Sequence, residues 1–256
     1  MYYSDVQKLS SMAEDKYQLS KKEPAKYFVR AMVAGFYLVI AIILSYMMAA
    51  VLHTNYPEFA KISVAVCFPT AIVLIVFLGG ELFTGNNLVM SMGALDKKTT
   101  WANAARIWLI SYIGNFVGCV IFTFLLVKSG SNIDLLMEYI GPLVEKKLHI
   151  TALEMFLRGI LCNFMVCMAY IIGARVKSEG SRIFITFLAI AAFIIGGFEH
   201  SIANMGIFSI DFFATGTLPW ASVAKSMFFV TLGNIVGGGL LLALPLKFMS
   251  INDTHK

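Results

Sequence analysis

Gly196-Gly197-Phe198-Glu199-His200-Ser201-Ile202-Ala203-Asn204-Met205 lies in the middle of an apolar run otherwise fit to cross a bilayer. Between Arg182 and Asp211 the chain has 28 residues and two ionisable side chains, the neighbours Glu199 and His200. A second apolar run, Ile62 to Leu95, holds a single charge, Glu81, within Gly79-Gly80-Glu81-Leu82-Phe83-Thr84-Gly85-Asn86. At membrane depth, polar and helix-breaking residues persist where protein or a water-filled path satisfies them. Two such interruptions in similar settings point to a permeation pathway.

The surrounding composition agrees. The 256 residues are 59% hydrophobic and 14% charged, with a mean hydropathy of +0.78. Those values belong to a polytopic membrane protein and leave no room for a separate soluble domain. About 20 apolar residues cross a hydrocarbon core of about 30 Å. Six spans are expected: 27–52, 62–95 interrupted near Thr84, 104–127, 153–174, 183–208 interrupted near His200, and 221–248. Residues 1–26 mix five lysines with four acidic residues and have no signal-peptide core, so they are read as a cytosolic amphipathic helix at the membrane surface. An external amphipathic loop is expected at 128–150 and a cytosolic tail at 249–256.

Six spans place both termini on one side. Lys97, Lys98, Arg175, Lys177, Arg182 and Lys247 share that side with the arm, against Lys61, Lys128, Lys146 and Lys147 opposite. The positive-inside rule makes the termini cytosolic. The net charge of +5 comes without a basic run or an aromatic-basic platform, which excludes a nucleic-acid role. Cys67, Cys119, Cys162 and Cys167 all fall inside apolar spans at no metal or disulfide spacing, and read as small core residues. No metal site and no cofactor are expected.

The chain carries a weak internal repeat. Phe28-Val29-Arg30-Ala31-Met32 matches Phe156-Leu157-Arg158-Gly159-Ile160, Gly79-Gly80-Glu81 matches Gly196-Gly197-Phe198-Glu199, and Ile113-Gly114-Asn115 matches Leu232-Gly233-Asn234, in the same order. Each half, 27–127 and 151–248, has three spans. An odd number inserts the halves with opposite orientation, the inverted-repeat architecture of many transporters. There, paired interrupted spans mark the substrate site. The fold class expected is all-α, with six transmembrane helices as two inverted three-helix repeats and the second and fifth helices broken. Glycines in the third and sixth spans (Gly114, Gly118, Gly233, Gly237, Gly238, Gly239) read as close-packing positions.

Leu82-Phe83-Thr84 in the second span and Glu199-His200-Ser201-Ile202-Ala203-Asn204-Met205 in the fifth resemble the signatures of the formate/nitrite transporter family. Lys147-Leu148-His149, ahead of Asn163-Phe164-Met165-Val166-Cys167 in the fourth span, is similar to it as well. The resemblance covers nearly the whole chain and is greatest to the clostridial hydrosulfide channels. It implies an aquaporin-like protomer in a homopentamer, one pore per protomer, a bacterial inner-membrane location and small monovalent anions as substrates. It also implies a pore narrowed by Leu82, Phe83 and Phe193, with Phe68 extending the outer constriction, and an external Lys147 that concentrates anions, with Lys146 as its rival.

A bare anion at mid-membrane is costly. His200 meets that difficulty by donating a proton or a strong hydrogen bond to a weak-acid anion such as hydrosulfide, formate or nitrite. Thr84, placed opposite by the pseudo-two-fold, orients the imidazole or touches the anion. Asn163 bonds Lys147 or the broken loop. Glu199, Asn204 and Glu81 are expected to hold the interrupted backbone, and Arg30 and Arg158 to anchor span starts. Two other function classes fit less well. A neutral-solute channel for water, glycerol or ammonia fits the architecture, but there is no Asn-Pro-Ala pair and no twin histidine. A hydrolase lacks His-Glu-x-x-His, Gly-x-Ser-x-Gly and a second histidine near His200, so no enzyme is expected.

Overall fold

The computed structural model describes residues 3–176 and 178–251. Lys177, counted above with the basic loops, and tail residues 252–256, including His255, lie outside them. The described residues are helical almost throughout, in two inverted three-span units. The first contains α2 (Pro24–His53), α3 (Pro57–Cys67) with α4 (Thr70–Leu78), α5 (Phe83–Leu95) and α6 (Trp101–Ser129). The second contains α8 (Ala152–Arg175), α9 (Glu179–Gly196), α10 (Ser201–Thr215) and α11 (Trp220–Ile235). A π-helical segment, Val236–Leu242, and α12 (Ala243–Phe248) complete it. An amphipathic helix precedes each unit: α1 (Tyr3–Lys22) before the first and α7 (Ile133–His149) before the second. Six helices are long and apolar enough to span.

The breaks follow from glycine. α4 ends on Gly79 at φ 75° and α9 ends on Gly197 at φ 70°, left-handed conformations that a glycine adopts without penalty and that terminate a helix. The non-helical stretches are therefore 79–82 and 197–200. Thr84 stands in the first turn of α5 rather than in the break, and His200 is the N-cap residue of α10. The second span starts earlier than expected, at Pro57, and the fifth runs on to Thr215.

Each break carries backbone groups that no helix satisfies, and one asparagine per half takes them. Asn115 Oδ1 accepts from Phe83 N at 2.9 Å, while its Nδ2 donates to Ala31 O at 2.7 Å and Glu81 O at 2.9 Å. In the other half Asn234 Oδ1 accepts from Ser201 N at 2.9 Å, and its Nδ2 donates to Gly159 O at 2.8 Å and Glu199 O at 3.0 Å. Glu81 N donates to Arg30 O and Glu199 N to Arg158 O. The arginines thus contribute main-chain acceptors to the breaks. Arg30 also donates Nε to Gly79 O, whereas the Arg158 side chain pairs with Glu154.

The glycines are packing positions, as their spacing implied. A Cβ on Gly118 would lie 2.0 Å from Met32 O, and one on Gly233 would lie 2.2 Å from Phe156 O, so α6 meets α2, and α11 meets α8, at backbone distance. Gly237 is equally tight against Ile160 O, within the π-helical segment that the sequence reading did not foresee. All four cysteines are unpaired, and Cys119, Cys162 and Cys167 are buried.

The arm departs from expectation. α1 does not present its apolar face to lipid: Val6, Leu9 and Ala13 are buried in one cluster with Leu88, Val89 and Met92 of α5. The reason is α5 itself, buried at every position from Phe83 to Gly93, so its outer half needs a protein cover. Polar ties fix the arm. Tyr3 donates to Asp96, which also binds Lys247, and Arg175 pairs with Asp5. Burial alone would raise the Asp96 carboxyl, but the Lys247 and Tyr3 bonds outweigh it and hold the group below the usual range. This tie is fully present above the ordinary carboxylate range and is lost as pH falls below it.

Two outcomes follow for stability, read as thermal unfolding of purified protein in detergent. Gly118→Ala should destabilise by about 1–3 kcal/mol through overpacking, while Gly141→Ala, which meets nothing within 4 Å, should be neutral or slightly stabilising. Asn115→Leu should cost about 2 kcal/mol or more, because it strips partners from buried backbone groups. An unchanged midpoint would show that the first break is held by other means.

Candidate functional site

The two broken segments bring their polar residues together at the centre of the bundle. Thr84 Oγ1 lies 3.0 Å from His200 Nε2, and both residues are buried. The imidazole's second nitrogen is already committed, because Ala203 N–H donates to His200 Nδ1 at 3.1 Å and so caps α10. A nitrogen accepting a hydrogen bond carries no proton. The hydrogen-bond network therefore assigns the neutral tautomer with its proton on Nε2, aimed at the Thr84 hydroxyl. That hydroxyl, accepting from Nε2, keeps its own proton to offer elsewhere.

The pseudo-two-fold does not relate these two side chains. Phe83 and Ser201 hold equivalent places on Asn115 and Asn234, so the equivalent of His200 is Leu82, and that of Thr84 is Ile202. Histidine and threonine meet because the breaks cross, each contributing from a different step of the chain.

Above the imidazole is a throat. A cavity of about 20 Å3, room for about one water molecule, is lined by Phe68, Ile72, Leu82, Ile190, Phe193 and His200, among others. Phe193 stacks on His200, with ring centroids 6.1 Å apart and planes 25° apart, and Phe68 meets Phe193 edge-on at 6.0 Å. Leu82, Phe68 and Phe193 thus line the same small cavity as the histidine. Phe83 does not line this cavity; its ring sits edge-on against Tyr112 at 4.9 Å.

On the α7 face lies a separate recess, a vestibule of about 260 Å3. Here Lys147 Nζ donates to both Glu199 oxygens, at 3.0 and 2.8 Å, and Asn204 Nδ2 donates to Glu199 Oε2 at 2.8 Å. Glu199 and Asn204 therefore support the site through this ion-paired knot, whereas the backbone they were expected to satisfy belongs to Asn234. Lys147 is an anchored partner of a carboxylate, and Lys146 is exposed beside it. Asn163 does not reach Lys147. Its Nδ2 lies within bonding distance of Thr84 O, Asn87 Oδ1 and Asn234 O, at 3.2, 3.0 and 2.7 Å, and this ties the two halves together behind the Thr84–His200 contact.

The α1 face repeats the knot. Glu81 Oε2 binds Lys16 Nζ at 2.5 Å and accepts from Tyr27 Oη at 3.1 Å, and Asn86 Nδ2 donates to that Tyr27 oxygen. Lys16 of α1 thus stands to Glu81 as Lys147 of α7 stands to Glu199. The sequence reading passed over Lys16, Tyr27, Asn115 and Asn234. The asparagines were inside the repeat motif already, in matching positions; the polar side chain, not the neighbouring glycine, was the signal.

The sequence profile of the family described as Formate/nitrite transporter matches residues 4–248. The formate channel FocA of Escherichia coli (strain K12) is 33% identical over 260 residues, which cover 91% of this chain and 90% of FocA. Among solved structures, an FNT family ion channel superposes with a TM-score of 0.90 at 25% identity, over 98% of this chain and 100% of its own. A pentameric formate channel with formate bound gives 0.76 at 27% identity, over 90% and 98%. These relatives are described as channels, FocA and the pentameric structure as channels of formate, and they lend no support to the neutral-solute alternative. With both interrupted spans in place and the match running almost from end to end, this chain belongs to the formate/nitrite transporter family.

Proposed function

We propose that the protein is a homopentameric channel of a bacterial inner membrane, with both termini cytosolic, in which each protomer conducts small monovalent weak-acid anions. Hydrosulfide is the foremost substrate, and formate and nitrite are the alternatives. The observation that carries this reading is the Thr84–His200 pair, a polar point at 3.0 Å inside a throat walled by Phe68, Phe193 and Leu82. The pentameric formate channel described above supports the assembly and the formate alternative, and hydrosulfide stands on the resemblance drawn from the sequence.

The reading keeps the division into arm, two three-span units, external loop and tail, and places on the cytosolic side the α1 helix whose Lys16 pairs with Glu81. Apolar rings reject a hydrated, permanently charged ion by a dewetting barrier. Weak-acid anions escape that barrier because they have neutral conjugate acids. Of the two roles open to His200, hydrogen-bond donor is favoured over proton donor. A neutral ring gives up no proton readily, and charging Nδ1 would remove the α10 cap, at about 1 kcal/mol. The Nε2–H and the Thr84 hydroxyl then hold the permeant species at the narrowest point, and the neutralising proton comes from vestibule water.

Substitution separates the two roles. His200→Asn can still cap α10 and hydrogen-bond but cannot titrate; it should keep measurable hydrosulfide flux with the wild-type pH profile. His200→Ala should lose flux about tenfold or more. A flattened pH profile in His200→Asn would restore the proton-donor role. For the substrate class, purified protein in liposomes should pass hydrosulfide, formate and nitrite at least about tenfold faster than chloride, a difference of about 1.4 kcal/mol. Equal rates for chloride would defeat the proposed selectivity.

A further inference from the structure

Lys147 is the lysine the family resemblance singles out, yet its charge is spent: both oxygens of Glu199 hold it, and its side chain is 12% exposed. Arg158, on the same vestibule wall, is paired with Glu154. Two further cations line the 260 Å3 vestibule, Lys61 from α3 and Lys146 from α7. Among the described residues neither makes an ion pair or a side-chain hydrogen bond, and both are exposed. Once the paired charges cancel, these two ammonium groups are the unpaired charges on the vestibule lining. Tyr46 and Tyr139 line it too, 5.8 Å apart by ring centroids, with hydroxyls bonded to no described residue.

We infer that Lys61 and Lys146, not Lys147, are the capture charges for anions arriving on the α7 face, with the Tyr46 and Tyr139 hydroxyls as first hydrogen-bond donors. This rests on the anion-channel reading above. The physics is focusing: cations around a low-dielectric recess raise the local concentration of anions and the rate of entry, and salt removes the effect. Lys147 has a different task, since it keeps Glu199 and Asn204 in place beside the histidine. The vestibule is more than ten times the volume of the throat, so it can hold an anion with its hydration water before any shedding occurs.

The test is initial uptake of formate by proteoliposomes at about 10 mM and about 1 M ionic strength, where charge interactions reach about 30 Å and about 3 Å. The double variant Lys61→Gln, Lys146→Gln should raise the apparent KM about tenfold at low salt and less than twofold at high salt. Lys61→Arg, Lys146→Arg should restore the wild-type value. Lys147→Gln should instead lower thermal stability and change uptake equally at both salts. A double variant indistinguishable from wild type at low salt would overturn the inference, as would a salt-dependent KM shift confined to Lys147→Gln. Wild-type protein that carries no anion would overturn the channel reading, and this inference with it; wild-type flux with unaltered capture in the double variant would overturn this inference alone.

Discussion

The backbone groups of Glu81 and Phe83, and of Glu199 and Ser201, have no helical partner, and lipid cannot supply one. Interrupting a span in an apolar slab is possible only if each of these groups finds a fixed donor or acceptor in the protein. Asn115 and Asn234 are that condition. A carboxamide both donates and accepts, so one side chain can bridge the two strands of a break to the neighbouring helix. The tight glycine contacts serve the same end. Gly118 against Met32, and Gly233 against Phe156, let α6 and α11 come close enough for Asn115, one turn from the first glycine, and Asn234, next to the second, to reach across.

Much of this was legible in the residues. Composition and apolar run length fixed the six spans. Paired Gly-Gly followed by a lone acid located both interruptions, because a left-handed terminus and an uncompensated charge are each rare in a spanning helix. The order of three motif pairs exposed the inverted halves. The position of α1 was not legible: an amphipathic helix beside a membrane has the same pattern whether its apolar face meets lipid or the flank of a half-length helix. The local geometry at His200 was hidden for a related reason. Sequence marks a histidine in a break, but the bond from Ala203 N–H that fixes its tautomer depends on where the helix restarts. Of the two partners expected of Asn163, Lys147 is out of reach and the interrupted span is met, through Thr84 O; an asparagine in a span has many partners within one turn, and proximity in three dimensions chooses among them.

The halves agree in scaffold and differ in chemistry. Each has an arginine carbonyl, a glutamate, an asparagine bridge and a lysine delivered by an amphipathic helix. At the Thr84–His200 contact, however, the symmetry is given up: Leu82 stands where the other half has His200, and Ile202 stands where the first has Thr84. Duplicated framework and single-copy polar groups together produce one donor site instead of two, bounded by apolar side chains.

The ion pairs also bear on how such a chain is made. Lys16 and Glu81 belong to the first half, Lys147 and Glu199 to the second, and each asparagine bridges a break in its own half. The strongest polar demands of each break are thus met locally, before the other half exists. Each half is in this sense a self-contained unit of insertion, able to enter the bilayer with its charges neutralised and its exposed backbone covered. What remains for the meeting of the two includes Asn163 on Thr84 and Asn87, the threonine on the histidine, and, away from the breaks, Lys247 on Asp96 and Arg175 on Asp5. The Thr84–His200 contact, the centre of the proposed pathway, thus needs both halves, and neither half alone contains it.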